Sequence, residues 1–167
     1  MRLALTDLFR AKWTDEIHEE WIRNVLKDRL DISRSQLEYT RDLMNKHVRD
    51  CIVSNYESLI PSLVLPDDND RHVLAAAIRA GADLIVTYNL RDFPDSALAM
   101  WGIEAQHPDD FVTHLLDLDT SAVCSAVKQQ RAALRNPVLS VDELLTVFQK
   151  QSLPQTVAEL RKFAALL

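Results

Sequence analysis

Residues 65–94 read LPDDNDRHVLAAAIRAGADLIVTYNLRDFP, and the order of residue types in this stretch decides the fold class. Acid comes first, then an Ala-rich run with helical spacing, a helix stop at Gly81, a short apolar run, and a polar exit through Asn89 and Asp92. Helix, glycine stop and buried strand in that order are the marks of an α-to-β step in a parallel sheet. An α/β fold is therefore expected. Such sheets bind ligands beyond the carboxyl ends of their strands, which places Asn89 and Asp92 at an open edge.

The start of the Ala-rich helix is the sharper feature. At 100° per residue, Val73, Leu74, Ala77 and Ile78 fall within about 80° on either side of Asp70, so its carboxylate lies over the middle of the apolar stripe. Two readings stand side by side. Asp67, Asp68, Asn69 and Asp70 supply an N-cap and suit the positive helix end, or some of them form a site, since one cap needs one carboxylate and three are present. By the same angular count His72 lies about 200° from Asp70 and is expected to face solvent.

Composition narrows the class. The chain has 167 residues, 47% of them hydrophobic, and two glycines, which suits one helix-rich α/β domain with a small appendage. No apolar run approaches the ~20 residues of a membrane helix and no signal-peptide pattern opens the chain, so a cytoplasmic protein is expected. Cys51 and Cys124 lack metal-ligand spacing and read as reduced core residues. The net charge of −6 argues against nucleic-acid binding through overall basicity. Residues 51–127 hold 12 acidic and 3 basic side chains, so the acid is concentrated around the opening stretch. RNA would be repelled there unless a divalent cation reversed the local field.

Upstream, residues 1–9 read as the tail of a helix, followed by the strand-like RAKW. Thr14 reads as the N-cap of a helix over residues 15–27, whose broad apolar face holds Ile17, Trp21, Ile22, Val25 and Leu26. His18 inside that face reads as packed and hydrogen-bonded. Glu20 and Glu19 lie on opposite flanks, and spacing does not choose between them. A second helix over residues 33–50 buries Leu37, Thr40, Met44 and Val48, and residues 51–53 are a short strand. Downstream, a short helix over residues 95–100, an edge strand IEAQ and a helix opened by His107-Pro108-Asp109 complete a domain spanning residues 1–118. Residues 119–167 read as a helical extension with amphipathic helices broken at Pro137 and restarted at Ser140 and Pro154. Ser140-x-x-Glu143 has capping-box spacing.

Acids gathered from separate elements at a sheet edge suit hard cations, which take oxygen ligands and keep some water. No phosphate-binding glycine loop, nucleophile elbow or zinc-type spacing competes with that reading. The central stretch, together with WTDEIHEEWIRNVL upstream and IEAQHPDDF downstream, resembles the PIN domains, specifically the VapC-type toxins of bacterial toxin–antitoxin pairs. The resemblance spans residues 3–111, and the C-terminal residues resemble the helical extension of a subset of these toxins.

The resemblance implies a PIN-like three-layer fold with a central parallel sheet, and an endoribonuclease that uses Mg²⁺ or Mn²⁺. It also implies an RNA substrate, a cognate antitoxin and a homodimer. It selects Glu20 over Glu19 and carries Asp70 over as a second acid. Asn89 stands where the family commonly has Asp, with Asp92 as a substitute. Glu20, Asp70 and Asp92 are then the catalytic candidates, Glu20, Asp70 and Asn89 the metal ligands, and Arg71, Arg91 and Thr87 the substrate-binding residues. The family's first strand, with its Asp-x-Asn motif, has no counterpart here. The expectation is that strand rearrangement, another chain or a second copy fills its place. A catalytically inactive binding or assembly module is the alternative function.

Overall fold

A computed structural model of the chain describes residues 2–167; Met1, which opens the stretch read as a helix tail, lies outside them. Among the described residues, 2–9, 86–88 and 106–167 form one compact unit, and 10–85 and 89–105 another.

The second of these units is built around helix α3 (Arg71–Ala80), whose Leu74, Ala75, Ala76 and Ala77 are all buried. Larger side chains from the surrounding segments pack with these small alanines. Tyr56, Leu63, Leu65, Ile85, Phe93, Leu98 and Ile103 complete the core. Full burial of a side chain such as Leu74 stabilises by about 2 kcal/mol. Gly81 ends the helix at φ +60°, and Ala82 N–H donates to Ala77 C=O at 3.0 Å. That left-handed cap is strained for any residue with a Cβ. The chain then runs straight into strand β1 (Leu84–Val86).

Strand β1 pairs with β2 (Glu104–Gln106). Glu104 N–H donates to Asp83 C=O and Thr87 N–H to Gln106 C=O, the slanted pattern of a parallel pair. The structure is thus mostly helical with a small two-stranded parallel sheet, an α/β arrangement. The strand-like RAKW and residues 51–53 meet only as an isolated parallel bridge between Trp13 and Ile52.

Helix α1 (Asp15–Asp28) is capped by Thr14 Oγ1, which accepts from Ile17 N–H at 3.0 Å. Helix α2 (Arg34–His47) opens with a capping box between Ser33 and Gln36. Of the residues expected in its buried face, Leu37 and Val48 are buried and Met44 partly so, but Thr40 is exposed. Thr40 Oγ1 instead donates to Gln36 C=O in its own helix, so no tertiary partner is needed to satisfy it. Helix α4 (Asp95–Leu98) leads to the turn at Gly102, which stands at φ +66° before β2.

The other unit contains α5 (Pro108–Leu118), α6 (Thr120–Ala133), α7 (Val141–Lys150) and α8 (Pro154–Arg161). The amphipathic stripes of these helices meet in one core of Leu115, Leu116, Val123, Val127, Leu144, Leu145, Val157 and Leu160, joined by Leu3, Leu8 and Phe9. Residues 2–5 form a single 3-10 turn. Helix α5 groups with the helices that follow it. Ser140 and Glu143 form a reciprocal capping box at the start of α7. Ser140→Ala is expected to cost about 1 kcal/mol, measured as a shift in the urea midpoint at constant slope.

Candidate metal centre

The residues at the start of α3 adopt two turns of different kind. Asp67 Oδ1 accepts from both the backbone N–H and the side-chain Nδ2 of Asn69, each at 2.9 Å, and so caps the 3-10 turn Asp68–Asp70. Asp70 occupies the N-cap position of α3 itself, but its side chain makes no capping hydrogen bond. Its carboxylate therefore faces the other acids. The turn Leu90–Asp92 beyond β1 supplies Asp92. One carboxylate oxygen from each of Asp67, Asp70 and Asp92 lies within 4.8 Å of the others.

Three like charges at that separation repel. Burial pushes the Asp70 carboxyl above the usual carboxylate range, and the negative charges of Asp67, Asp92 and Glu20 push it further; His72 opposes them weakly. An octahedral Mg²⁺ with oxygens at ~2.1 Å spans roughly 4.2 Å between opposite ligands. Separations bounded by 4.8 Å are of that order, and three carboxylate oxygens with their net negative charge are the donor set that a hard divalent cation takes.

Of the two glutamates left open by spacing, Glu19 is held by Arg34 Nη2 at 2.5 Å, and that hydrogen bond draws its pKa below the usual range. Glu20 is half-buried, with Oε2 3.3 Å from His72 Nε2 and Oε1 3.7 Å from Arg23 Nη2. Its charge acts on Asp70. Asn89 donates its side-chain Nδ2 to Asp92 Oδ2. Arg71 Nε donates to Asp68 C=O at 3.0 Å and lies 3.5 Å from Asp68 Oδ1, while Arg91 is exposed. Thr87 is part of the helical unit, its N–H given to Gln106.

Two residues depart from the sequence reading. Asp67 is both a cap and a member of the cluster; the surplus of carboxylates over caps was the signal for it. His72 is corrected outright. Expected in solvent, it is 4% exposed and lies between Glu20 and Glu16, with Nδ1 3.6 Å from Glu16 Oε2. The helical angle locates a side chain relative to its own stripe and says nothing of a neighbouring helix, here α1, that covers the other flank. His18 is packed and hydrogen-bonded as expected. Its Nδ1 accepts from Trp21 Nε1 at 2.9 Å, which leaves Nε2–H to donate to Asn45 Oδ1 at 2.9 Å.

Comparison with known proteins gives two similarities. Residues 108–162 match the family model of the VapC50 C-terminal domain. Over 93 residues the chain is 43% identical to the protein named Putative ribonuclease VapC50 of Mycobacterium tuberculosis (strain ATCC 25618 / H37Rv), covering 56% of this chain and 54% of that protein. The chain spans about half the length of the curated relative it matches. No solved structure matches.

Proposed function

We propose that this chain is a VapC-type endoribonuclease with a PIN-like three-layer fold, dependent on Mg²⁺ or Mn²⁺ and acting on RNA in the cytoplasm. A cognate antitoxin neutralises it, and it works as a homodimer. Both similarities support a VapC-type toxin. The observation that carries the reading is the convergence of Asp67, Asp70 and Asp92 from two separate turns, with Glu20 close enough to raise the Asp70 pKa.

In this reading Asp67, Asp70 and Asp92 would hold the cation, with Glu20 completing the acidic set beside Asp70. Asn89, whose amide nitrogen is turned to Asp92, would coordinate through its carbonyl oxygen. A bound divalent cation supplies charge neutralisation at the phosphate and lowers the pKa of a water molecule. Arg71 and Arg91 attract the phosphates of the flanking nucleotides, and Thr87 offers a hydroxyl to the RNA. The arginines offset a local excess of acid that would otherwise repel RNA, since residues 51–127 hold 12 acidic and 3 basic side chains.

The test is cleavage of a structured RNA with Mn²⁺, Mg²⁺ or chelator present. Cleavage by the wild-type chain that requires the metal supports the proposal. If the wild type binds RNA but cuts none under any of these conditions, the chain is the binding module instead.

A further inference from the structure

Glu16 and Glu20 stand one turn apart on the same face of α1, an arrangement in which like charges repel. His72 occupies the space between them. Its ring nitrogens lie 3.6 Å from Glu16 Oε2 and 3.3 Å from Glu20 Oε2, and neither forms a properly aligned hydrogen bond. At 4% exposure neither reaches water freely. Tyr56 Oη donates to Glu16 Oε2 at 3.2 Å and anchors the far end of the chain of contacts. Tyr56, Glu16, His72 and Glu20 thus form one row of contacts, and the charge at its end, on Glu20, acts on Asp70.

Burying an imidazole with both nitrogens unsatisfied is unfavourable, so packing alone does not explain a histidine here. A leucine would fill the volume without that penalty. The two flanking carboxylates account for it, because each gains a polar partner in a place where it otherwise faces another acid.

We propose that His72 is a positioning residue for Glu20: held between the Glu16 and Glu20 carboxylates, it keeps Glu20 turned toward the Asp67, Asp70 and Asp92 cluster and strengthens binding of a divalent cation that it does not touch. This rests on the cation reading above. Groups that orient metal-binding carboxylates typically contribute 10–100-fold in affinity.

The experiment is Mn²⁺ titration of the full chain by calorimetry and by the loss of the free-ion paramagnetic resonance signal, with melting curves alongside. His72→Ala is expected to weaken Mn²⁺ binding about 10-fold. His72→Gln places an amide where Nε2 lies and retains affinity to within about 3-fold, whereas His72→Asn, which imitates only Nδ1, weakens binding as Ala does. In a Glu20→Gln background His72→Ala has no further effect on Mn²⁺ affinity.

Equal Mn²⁺ affinity in wild type and His72→Ala overturns the proposal. So does an additive effect in the Glu20→Gln background, which marks a merely structural role. Should His72→Ala fail to fold, the Gln and Asn variants decide by comparison with each other. The cation reading fails separately, and takes this proposal with it, if the wild type binds no Mn²⁺ or if Asp70→Asn binds it as tightly as the wild type.

Discussion

Asp70→Asn is expected to abolish Mn²⁺ binding, and with it the RNA cleavage that depends on the metal, yet to melt at a higher temperature than the wild type when both are metal-free. The two effects have one cause. Asp70 is partly buried among Asp67, Asp92 and Glu20, and its pKa is raised first by burial and then by these charges. A carboxyl whose folded pKa exceeds its unfolded value of ~3.9 favours folding below that value. That advantage disappears as pH rises through the folded pKa. At neutral pH the ionised Asp70 therefore destabilises the apo protein, and Asn removes the charge while remaining a good N-cap residue.

Relief of like-charge contacts is worth about 1 kcal/mol or less, which for a chain of this size raises Tm by up to roughly 2–4 °C. The advantage of Asp70→Asn shrinks toward zero below about pH 4, where Asp70 is protonated in both states. Saturating Mn²⁺ reverses the ranking. A ligand at 100 times its Kd adds about 2.7 kcal/mol, or roughly 5–10 °C, to the wild type and nothing to the variant. Calorimetric melting of both proteins with and without Mn²⁺ checks this. A metal-free Asp70→Asn that melts below the wild type shows that Asp70 is a structural cap and the cluster is not strained.

The largest expected loss of stability lies in the helical unit. Asp109 is 2% exposed, and its carboxylate accepts from Gln155 N–H at 2.9 Å and Thr156 N–H at 2.8 Å, so a side chain on α5 caps α8. Helix α8 has Leu153 at its own N-cap, which offers no side-chain acceptor. Burial alone would raise the Asp109 pKa, but the hydrogen bonds from Thr156 and Gln155 outweigh it and hold the pKa below the usual range.

Asp109→Ala leaves two N–H groups without a partner and is expected to cost about 3 kcal/mol, a fall in Tm of roughly 6–12 °C. Asp109→Asn keeps one acceptor and loses less. Because the folded pKa is depressed, the stabilisation is present above the unfolded value of ~3.9 and is lost as pH falls through the folded pKa. Acid titration followed by circular dichroism should show this loss in the wild type and not in Asp109→Asn. Equal stability of Asp109→Ala and wild type refutes the cap.

Much of the architecture is legible because it is local. Thr14, Ser33 and Ser140 cap the helices they precede, Gly81 stops α3, and the apolar run after it forms β1. Capping, propensity and periodicity act within a few residues, so spacing alone carries them. The pairing of β1 with β2 joins segments some twenty residues apart and still follows from their order, since one short helix lies between them.

The sequence by itself determined the capped helix starts at Thr14, Ser33 and Ser140, the α-to-β step and the presence of more acid before α3 than a cap requires. Only the tertiary structure decided which acids meet. It turned Glu19 to Arg34, brought Asp92 beside Asp67 and Asp70, buried His72 between Glu16 and Glu20, and sent Asp109 to cap N–H groups 46 and 47 residues away. The reason is that backbone hydrogen bonds and helical spacing fix a residue's angle on its own element, whereas burial, charge pairing and ligand geometry depend on elements distant in sequence.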